Sequence, residues 1–366
     1  MKRKHEYYMK QAIELAEKAR DKTYPNPMVG AVIVNNGRVI GRGYHKKAGK
    51  DHAEVAAIKA SGNKCQGADM YVTLEPCDHY GKTPPCTKAI IESGIKKVYI
   101  AMKDPNLLNN GKGLKKLKKN GVKIVSGICK KEAETLNAKY IKFIEKKIPY
   151  ITLKLGQSLD GKIAARNGSS KWITSKESRM YARKMRKNFD AVCVGANTAI
   201  NDDPFLLDEK RKGFKTRRII LDSKLRLSLK SNLIKTAGLS PIIIGTTDIA
   251  SERKVKSLNS IDNVEVIVIK NKKEQVDLNS FFKKLAKKNF VNILVEGGGE
   301  LAGSLIDQGL VDEFFFFIAP KVIGGKYSSI KGKGVLDISK ILNLKDIDIK
   351  RSGDDFIVRG LLCSQA

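Results

Sequence analysis

A His-x-Glu triplet and two later Pro-Cys pairs constrain this chain more than any other feature of its sequence. They are His52-Ala53-Glu54, Pro76-Cys77 and Pro85-Cys86. Residues two apart do not share a helix face, so the His52 and Glu54 side chains can reach one pocket only at a helix end. Proline favours helix starts, and a helix N-terminus stabilises the thiolate form of a neighbouring cysteine. The pattern therefore predicts helix starts near His52 and near both cysteines, converging on one site.

One imidazole and two thiolates can hold Zn²⁺ tetrahedrally and leave a fourth position for water. Such a metal lowers the pKa of bound water to about 7, and a nearby carboxylate can move the proton. The sequence thus predicts a catalytic zinc held by His52, Cys77 and Cys86, with Glu54 as proton shuttle. A purely structural zinc needs a fourth protein ligand, and His45 or His79 remains available for that alternative.

Alternating helix and strand patterns predict two α/β domains, residues 1–147 and 148–366, with a boundary just before Pro149. In the first domain the patterns predict helices over residues 6–20, 52–60, 86–92 and 130–147, with strands at 28–34, 39–43, 69–74, 98–102 and 122–125. Asn36-Gly37 predicts a tight hairpin turn.

The second domain predicts strands at 150–155, 191–194, 218–222, 241–245, 264–269 and 291–295, helices over 176–188 and 278–288, and a helix from the glycine run to about Asp307. Residues 314–318 read as a fully buried strand, and the remaining C-terminal strands read as core. Glu296-Gly297-Gly298-Gly299 before a helix fits a phosphate cradle, and it fits a tight structural turn as well.

The formal charge of +32 suggests nucleic acid as a partner, but a phosphorylated small substrate or a lysine-rich solvated surface explains it equally. The lysine runs at 115–119 and 283–288 read as solvated helix faces. No apolar run approaches the roughly 20 residues of a membrane span. The N-terminus lacks the apolar core of a signal peptide, so we expect a cytoplasmic protein. Six cysteines are too few for a disulfide scaffold, and the four outside the zinc pattern are expected to be buried thiols.

The first domain resembles the zinc nucleobase deaminases, which carry H-x-E and P-C-x-x-C motifs. Here eight residues separate the cysteines, a spacing that resembles the bifunctional riboflavin-biosynthesis deaminase/reductase family. That resemblance rests on residues 25–30 (PNPMVG), 43–45 (GYH), 52–54 (HAE) and 73–86 (TLEPCDHYGKTPPC). It implies a cytidine-deaminase-like fold and removal of the 2-amino group of 2,5-diamino-6-ribosylamino-4-pyrimidinone 5′-phosphate. The implied substrate contacts are Asn26, His45, His79, Lys82 and Thr83.

The second domain resembles the reductase half of the same family, through residues 154–162 (KLGQSLDGK), 170–174 (SKWIT), 190–195 (DAVCVG), 201–204 (NDDP) and 296–299 (EGGG). The resemblance implies a dihydrofolate-reductase-like α/β fold that uses NADPH to reduce the ribosyl chain of the deaminated product. Lys154 and Asp202 are its candidate proton-transfer groups. The implied substrate contacts are Ser170, Arg186, Leu206 and Glu296. The implied NADPH contacts are Gly156, Trp172, Thr198, Asp202, Ser223, Gly298, Gly299, Glu300, Leu301, Ala302, Gly303 and Ser304.

One position departs from the family. Glu209 occupies the slot where the family has an arginine that helps to bind the substrate phosphate, with Lys210 and Arg211 beside it. Either the loop brings a basic residue in, or phosphate binding in the reductase is weakened. The resemblance also implies a homo-oligomer. The alternative function is a tRNA or nucleobase deaminase with a nucleic-acid-binding second domain. The long cysteine spacing and the absence of a recognisable RNA-binding motif argue against it.

Overall fold

The computed structural model of the chain describes residues 2–20, 22–81, 83–207, 216–272 and 274–363. The chain divides into two compact units, Met1–Lys147 and Ile148–Ala366. The division falls at the same peptide bond as the boundary expected from the sequence. Each unit is described by itself.

The first unit is built on a five-stranded sheet with the order β2-β1-β3-β4-β5. Strand β1 pairs antiparallel with β2 and β3, whereas β3, β4 and β5 pair parallel. The strands are β1 (Gly30–Asn35), β2 (Arg38–Tyr44), β3 (Asp69–Leu74), β4 (Lys97–Met102) and β5 (Lys123–Ser126). The helices are α1 (Lys2–Glu17), α2 (Ala53–Ser61), α3 (Cys86–Glu92), α4 (Lys112–Lys119), α5 (Lys130–Leu136) and α6 (Ala138–Lys146).

Local sequence signals account for several of these elements. The Asn36-Gly37 turn is confirmed: both residues have positive φ, 47° and 78°, as a two-residue turn that matches the strand twist requires. In α4 the lysines face solvent while Leu114 and Leu117 are buried, so the predicted solvated helix face is also confirmed.

The single helix predicted over residues 130–147 is wrong, because the structure breaks it at Asn137 into α5 and α6. The side chain of Asn137 is buried, accepts from the Met28 amide at 2.8 Å and donates to the Met28 carbonyl at 2.9 Å. A buried backbone amide and carbonyl must find partners, so this pairing with a distant segment outweighs helix continuity.

The second unit contains a nine-stranded sheet with the order β10-β9-β8-β7-β13-β6-β14-β16-β15. Neighbours from β10 to β14 are parallel, and β16 pairs antiparallel with β14 and β15. The strands are β6 (Tyr150–Ser158), β7 (Ala191–Gly195), β8 (Arg217–Leu221), β9 (Ile242–Thr247), β10 (Val264–Ile269), the short ribbon β11 (Asn271–Lys272) and β12 (Gln275–Val276), then β13 (Asn292–Glu296), β14 (Glu313–Ala319), β15 (Leu344–Ser352) and β16 (Asp355–Leu362).

Helices cover both faces of the parallel strands. They are α7 (Lys176–Met185), α8 (Ala196–Asp202), α9 (Asn232–Lys235), α10 (Glu252–Asn259), α11 (Leu278–Lys287) and α12 (Gly299–Asp307). Successive residues of a strand point to opposite faces, so Ala191 and Cys193 of β7 join one apolar cluster while Val192 and Val194 join another. Burial on both faces explains why these strands read as continuous apolar runs. The short helices α8, α9 and α10 were not expected from the sequence.

Two expectations for the C-terminal strands are wrong. Only Phe314 and Phe317 of residues 314–318 are buried, and the other three are half-buried. Strand β15, expected to be core, is largely exposed, with Ile347 and Ile349 open to solvent. The reason is position, because β15 is the outermost strand of its sheet and β14 lies close to that end. Over the described part of the chain, no helix combines the length and apolar character needed to cross a membrane.

Candidate functional site

The three predicted metal ligands come together in the first unit. His52 Nδ1 lies 3.2 Å from Cys86 Sγ and 3.5 Å from Cys77 Sγ, and the three ligand atoms lie within 4.8 Å of one another. Tetrahedral zinc with ordinary bond lengths would separate a nitrogen and a sulfur ligand by about 3.6 Å. The donor set and its spacing therefore fit Zn²⁺. Within the described residues this metal-binding group contains neither His45 nor His79, so the closed structural site finds no support.

The expected helix ends are present at this site. His52 is the N-cap of α2, with extended backbone (φ −70°, ψ 163°), and Glu54 lies in the first turn. Cys86 is the first residue of α3, and Pro85 precedes it as N-cap. Cys77 is the exception, since it follows β3 in irregular backbone. Two ligands are thus held by helix starts, and the third by a loop.

Glu54 is buried beside the two thiols, with 3% of its surface exposed. Burial, reinforced by the negative charge of Cys77, raises the pKa of Glu54 to about 7. The carboxyl interacts with the Cys86 side chain rather than joining the group of metal ligands. A group with this pKa can accept and return a proton near neutral pH, as a proton shuttle requires.

The pKa values of the two cysteines in this site are shifted in opposite directions. A hydrogen bond with Cys86, helped by His52, lowers the pKa of Cys77 to about 4. The same hydrogen bond and burial raise the pKa of Cys86. The hydrogen bond to Cys77 raises the pKa of His52. One sulfur is therefore already a thiolate at neutral pH, which is the form that binds a metal.

Asn26 and His45 form a fixed pair next to His52. His45 Nδ1 lies 3.2 Å from the Asp51 carbonyl, which can only accept, so this nitrogen carries the proton. Burial lowers the pKa of His45, so its ring is neutral and Nε2 accepts from Asn26 Nδ2 at 3.2 Å. The carbonyl oxygen Oδ1 of Asn26 is then left to accept hydrogen bonds from a ligand. The His45 and His52 rings meet edge to face at 5.2 Å.

The three remaining predicted substrate contacts of this unit are Thr83, His79 and Lys82. Thr83 Oγ1 lies 3.4 Å from His52 Nε2, so it can orient the imidazole as well as meet a substrate. His79 is half-buried, and its Nδ1 atom has no hydrogen-bond partner among the described residues. Lys82 lies outside the described residues.

An open cavity of about 2130 Å³ lies in the second unit. It is larger than the roughly 300–1,000 Å³ typical of small-molecule sites, which suits a dinucleotide beside a second ligand. Strands β6, β7, β8 and β13 are mutually parallel, so their carboxyl ends meet at one edge, where such sheets bind ligands. Most of the predicted residues line this cavity, namely Lys154, Gly156, Ser170, Trp172, Arg186, Thr198, Asp202, Leu206, Ser223, Glu296, Gly298, Gly299, Glu300, Leu301 and Ser304.

Two predicted cofactor contacts in α12, Ala302 and Gly303, do not line the cavity. Ala302 is fully buried in the core, and a Cβ on Gly303 would meet the Lys331 carbonyl oxygen at 2.0 Å. The prediction took the whole turn from 298 to 304 as one surface, although a helix rotates successive residues away from any one side. Glu209 lies outside the described residues.

The last glycine of the run, Gly299, is the first residue of α12. Gly298 is the N-cap of α12 in extended conformation, and both Gly298 and Gly299 line the cavity. A Cβ on Gly299 would lie 2.3 Å from the Ser328 carbonyl oxygen. Glycine is therefore required there by packing, and the free N–H groups of the helix start face a cavity that can receive an anion.

A charged cluster joins the middle of β6 to the carboxyl end of β13. Lys154 and Glu296 are register partners, and Arg186 holds Glu296 through contacts of 2.7 and 3.2 Å. Burial alone would raise the pKa of Glu296, but Arg186 and Lys154 outweigh it and lower the pKa. Burial lowers the pKa of Lys154, with partial compensation by Glu296 at 3.9 Å. Glu296 thus stays ionised, while Lys154 releases its proton more readily than an ordinary lysine.

Sequence reasoning missed a row of basic side chains on α7. Lys176, Arg179 and Arg183 line the cavity, and the Arg179 guanidinium lies 4.3 Å from the centre of the Trp172 ring. Their spacing of three and four residues, continued at Arg186, was the available signal for one helix face.

Comparison with known proteins yields matches across the whole chain. Residues 2–102 match the cytidine and deoxycytidylate deaminase zinc-binding region, and residues 149–358 match the RibD C-terminal domain. The riboflavin biosynthesis protein RibD of Aquifex aeolicus is 43% identical over 356 residues, which cover 96% of each chain. That of Bacillus amyloliquefaciens is 40% identical, covering 96% of this chain and 94% of the relative.

Solved structures agree with these matches. Acinetobacter baumannii RibD superposes with a TM-score of 0.83 at 33% identity, over all of both chains. A diaminohydroxyphosphoribosylaminopyrimidine deaminase/5-amino-6-(5-phosphoribosylamino)uracil reductase from Thermotoga maritima superposes with a TM-score of 0.81 at 35% identity, over 99% of both chains. The similarity therefore includes both units.

Proposed function

This chain belongs to the RibD family of bifunctional riboflavin-biosynthesis deaminases and reductases, and from that premise we propose how its own residues divide the two reactions. The first unit, residues 1–147, removes the 2-amino group of 2,5-diamino-6-ribosylamino-4-pyrimidinone 5′-phosphate. The second unit, residues 148–366, reduces the ribosyl chain of that product to ribityl. The printed name of the Thermotoga relative supports this substrate pair.

In the deaminase unit, His52, Cys77 and Cys86 would hold Zn²⁺, which when bound supplies a Lewis acid that activates water. The reaction adds water to the ring carbon, breaks the carbon–nitrogen bond and releases ammonia. Glu54 accepts the proton of the attacking water and returns it to the departing amine. Asn26 presents its carbonyl oxygen to N–H groups of the pyrimidine edge, because its amide is oriented by donating one of its two N–H groups to His45. His79, Thr83 and Lys82 complete the proposed substrate contacts.

The observation that carries this proposal is a buried carboxyl group with a pKa of about 7 beside three ligand atoms spaced for zinc. For Glu54→Ala we expect loss of deamination with the zinc content unchanged, because Glu54 moves a proton and binds no metal. Cys86→Ala should lose the zinc itself. Glu92→Ala, an exposed change on α3, serves as control. Zinc loss in Glu54→Ala would contradict the assignment.

In the reductase unit, NADPH is proposed to lie along Gly156, Trp172, Thr198, Asp202, Ser223 and the cavity-lining part of the turn from Gly298 to Ser304. When bound, NADPH supplies the hydride that the carbon of a ring-opened, imine-like substrate accepts. Lys154 delivers the proton that the nitrogen takes up, since burial has lowered its pKa. Asp202 can stabilise positive charge on that nitrogen. Ser170, Leu206 and the Arg186–Glu296 pair position the substrate.

The substrate phosphate in this unit is proposed to meet the basic face of α7. The family resemblance places Glu209 where the family has an arginine, whereas Lys176, Arg179 and Arg183 all line the cavity. Arginine and lysine both bind phosphate well, arginine through a planar two-pronged contact. This arrangement supports an active reductase despite the replacement.

The coupled activity is tested by measuring the absorbance of NADPH over time after the chain is mixed with the diaminopyrimidinone ribosyl phosphate. We expect a steady decay that disappears in Glu54→Ala and returns when the deaminated substrate is supplied. A flat trace with the deaminated substrate would contradict an active reductase. The alternative function, a tRNA deaminase, is less well supported, since both family matches agree with the bifunctional enzyme. Binding of tRNA to the chain at physiological salt would support this alternative.

The outermost strand of the second sheet supports a homo-oligomer. Exposed apolar side chains lie on β15 and in the segment before it, including Leu336, Ile338, Ile347 and Ile349. An exposed apolar sheet edge is a frequent site of association between chains. Sedimentation analysis of the wild type should show an assembly larger than the 40.5 kDa chain. The double variant Leu336→Lys with Ile338→Lys should disrupt this assembly.

A cytoplasmic location is supported only by the six free cysteines, which suit a reducing compartment.

A further inference from the structure

The zinc ligand Cys77 differs from the other two in lacking an element of secondary structure that holds it. His52 is fixed as the N-cap of α2 and Cys86 as the first residue of α3. Cys77 follows the end of β3 in irregular backbone. Metal ligands need accurate placement, so something other than a helix must set the direction of the Cys77 side chain.

The side chain of Asn109 contacts the backbone on both sides of Cys77. Its Oδ1 atom accepts from the Asp78 amide at 3.2 Å. Its Nδ2 atom donates to the carbonyl oxygens of Glu75 and Pro76, each at 3.4 Å. Asn109 is fully buried, so no water competes for these groups.

These contacts act on the two peptide groups that flank Cys77. The Pro76 carbonyl belongs to the peptide before Cys77, and the Asp78 amide belongs to the peptide after it. Peptide groups are planar, so only φ and ψ of Cys77 connect the two planes. One side chain that holds both planes therefore fixes φ and ψ, and with them the direction in which Cβ and Sγ leave the backbone. The Thr87 amide donates a hydrogen bond of 3.2 Å to the Cys77 carbonyl oxygen, which also holds the peptide plane between Cys77 and Asp78.

Asn109 is itself held in place by the segment before α4. The Glu75 carboxylate accepts from the Gly111 amide at 2.8 and 2.9 Å, and the Asn109 carbonyl accepts from the Lys112 amide at 2.7 Å. Asp104 accepts from Asn109 Nδ2 at 3.4 Å and from the Tyr140 hydroxyl at 2.9 Å. Asn109, which holds the peptides around Cys77, is thus itself held by a buried polar network.

We propose that Asn109 is a positioning residue for the zinc ligand Cys77, an inference that rests on the zinc site of the proposed function. It touches neither metal nor substrate. It acts by holding the peptides around Cys77 so that its sulfur lies beside His52 Nδ1 and Cys86 Sγ before zinc arrives. Because the sulfur is already in place, less free energy is spent on ordering Cys77 when zinc binds, and the affinity for zinc is higher.

The experiment measures zinc affinity by competition with a chromophoric chelator in the full chain. Asn109→Leu keeps the branching at Cγ and removes every hydrogen bond of the side chain, and we expect it to weaken zinc binding about tenfold or more, the range found for groups that support metal ligands. Asn110→Leu is the matched control, because Asn110 is the adjacent residue of the same type and is exposed. It should bind zinc like the wild type. Circular dichroism and thermal unfolding of the zinc-free proteins test whether each variant is folded.

A folded Asn109→Leu variant that binds zinc as tightly as the wild type would overturn the proposal. If this variant does not fold, Asn109→Ala carries the same comparison. It adds no bulk and no charge and removes the hydrogen bonds on both sides of Cys77, so its zinc affinity should also fall, and an unchanged affinity again overturns the proposal. Failure of the wild type to bind zinc at all would instead refute the metal site of the proposed function.

Discussion

Burial has changed the acid–base behaviour of two side chains, one in each unit, in opposite directions. Glu54 is held in its neutral form to a higher pH than an exposed glutamate, and its pKa is about 7. Lys154 loses its proton at a lower pH than an exposed lysine. Both shifts have the same cause, because removal from water penalises whichever form is charged. Both also bring the group closer to neutral pH, where proton transfer is most effective.

The raised pKa of Glu54 has a consequence for stability in the zinc-free protein. The native state keeps the proton up to about pH 7, whereas the unfolded chain loses it near 4.5, so stability falls as the pH rises through this interval. Glu54→Gln should remove this part of the slope and be more stable than the wild type above pH 7, by up to about 3 kcal/mol. Urea unfolding at several pH values measures the difference. Glu92→Gln, with an exposed side chain, should show none, and equal slopes for wild type and Glu54→Gln would refute the prediction.

Lys154 allows a prediction about the pH dependence of reduction. If it delivers the proton, the rate must fall as the pH rises through its lowered pKa, earlier than an ordinary lysine would allow. Lys154→Met should abolish reduction, and Lys154→Arg should retain any residual activity without this alkaline fall, because arginine stays protonated. Rates of NADPH oxidation with the deaminated substrate provide the measurement. The exposed Lys184→Arg variant should keep the wild-type profile; a wild-type profile in Lys154→Arg would exclude the role.

At the scale of elements, the deaminase site depends on how closely α2 lies against β2. A Cβ on Gly43 would come within 2.3 Å of the Ala53 carbonyl oxygen and 2.4 Å of the Ala57 amide nitrogen. Glycine at this strand position lets the helix backbone approach the sheet. Since His52 is the N-cap of α2 and Glu54 lies in its first turn, the depth of this packing sets where the proposed ligand and the proposed proton shuttle lie.

Gly43→Ala should therefore displace α2 and disturb the metal site. Overpacking of this kind costs about 1–3 kcal/mol of stability, and the shift of His52 should weaken zinc binding as well. Urea unfolding and chelator competition measure the two effects. Gly81→Ala is the control, because a Cβ there meets nothing within 4 Å. Unchanged zinc affinity in Gly43→Ala would show that α2 placement does not govern the site.

At the scale of the whole molecule, each unit has its own sheet, its own core and its own ligand site. The proposed zinc ligands lie within Met1–Lys147, and the described residues that line the large cavity belong to Ile148–Ala366. A ligand stabilises the folded form that binds it and nothing else. The two sites should therefore be separable in unfolding experiments on the intact chain.

Calorimetry of the full chain should show this separation. Chelation of zinc should lower the unfolding temperature of one transition, while NADPH at about 100 times its Kd should stabilise the other by about 2.7 kcal/mol. Glu54→Gln marks the transition of the first unit through its pH dependence. A single transition that moves with both ligands would mean that the units unfold together.

The sequence by itself determined the features that depend on neighbouring residues. Asn36-Gly37 specified a turn because few residues tolerate positive φ, and Pro85 indicated the helix start at Cys86 because proline suits the start of a helix. Alternation of apolar segments was enough to predict two α/β units. The residue types and order of His52, Cys77 and Cys86 predicted a zinc site, and the structure brings their ligand atoms within 4.8 Å of one another.

Only the tertiary structure decided the features that join distant parts of the chain. The break at Asn137 exists because Met28 needs partners, and the clamp of Asn109 on Cys77 joins segments about thirty residues apart. Likewise, the exposure of β15 follows from its place at the end of a sheet, and Ala302 and Gly303 do not line the cavity because close packing surrounds both positions. Local propensities act within a few residues, whereas buried polar groups and sheet edges are satisfied by whatever the fold brings beside them.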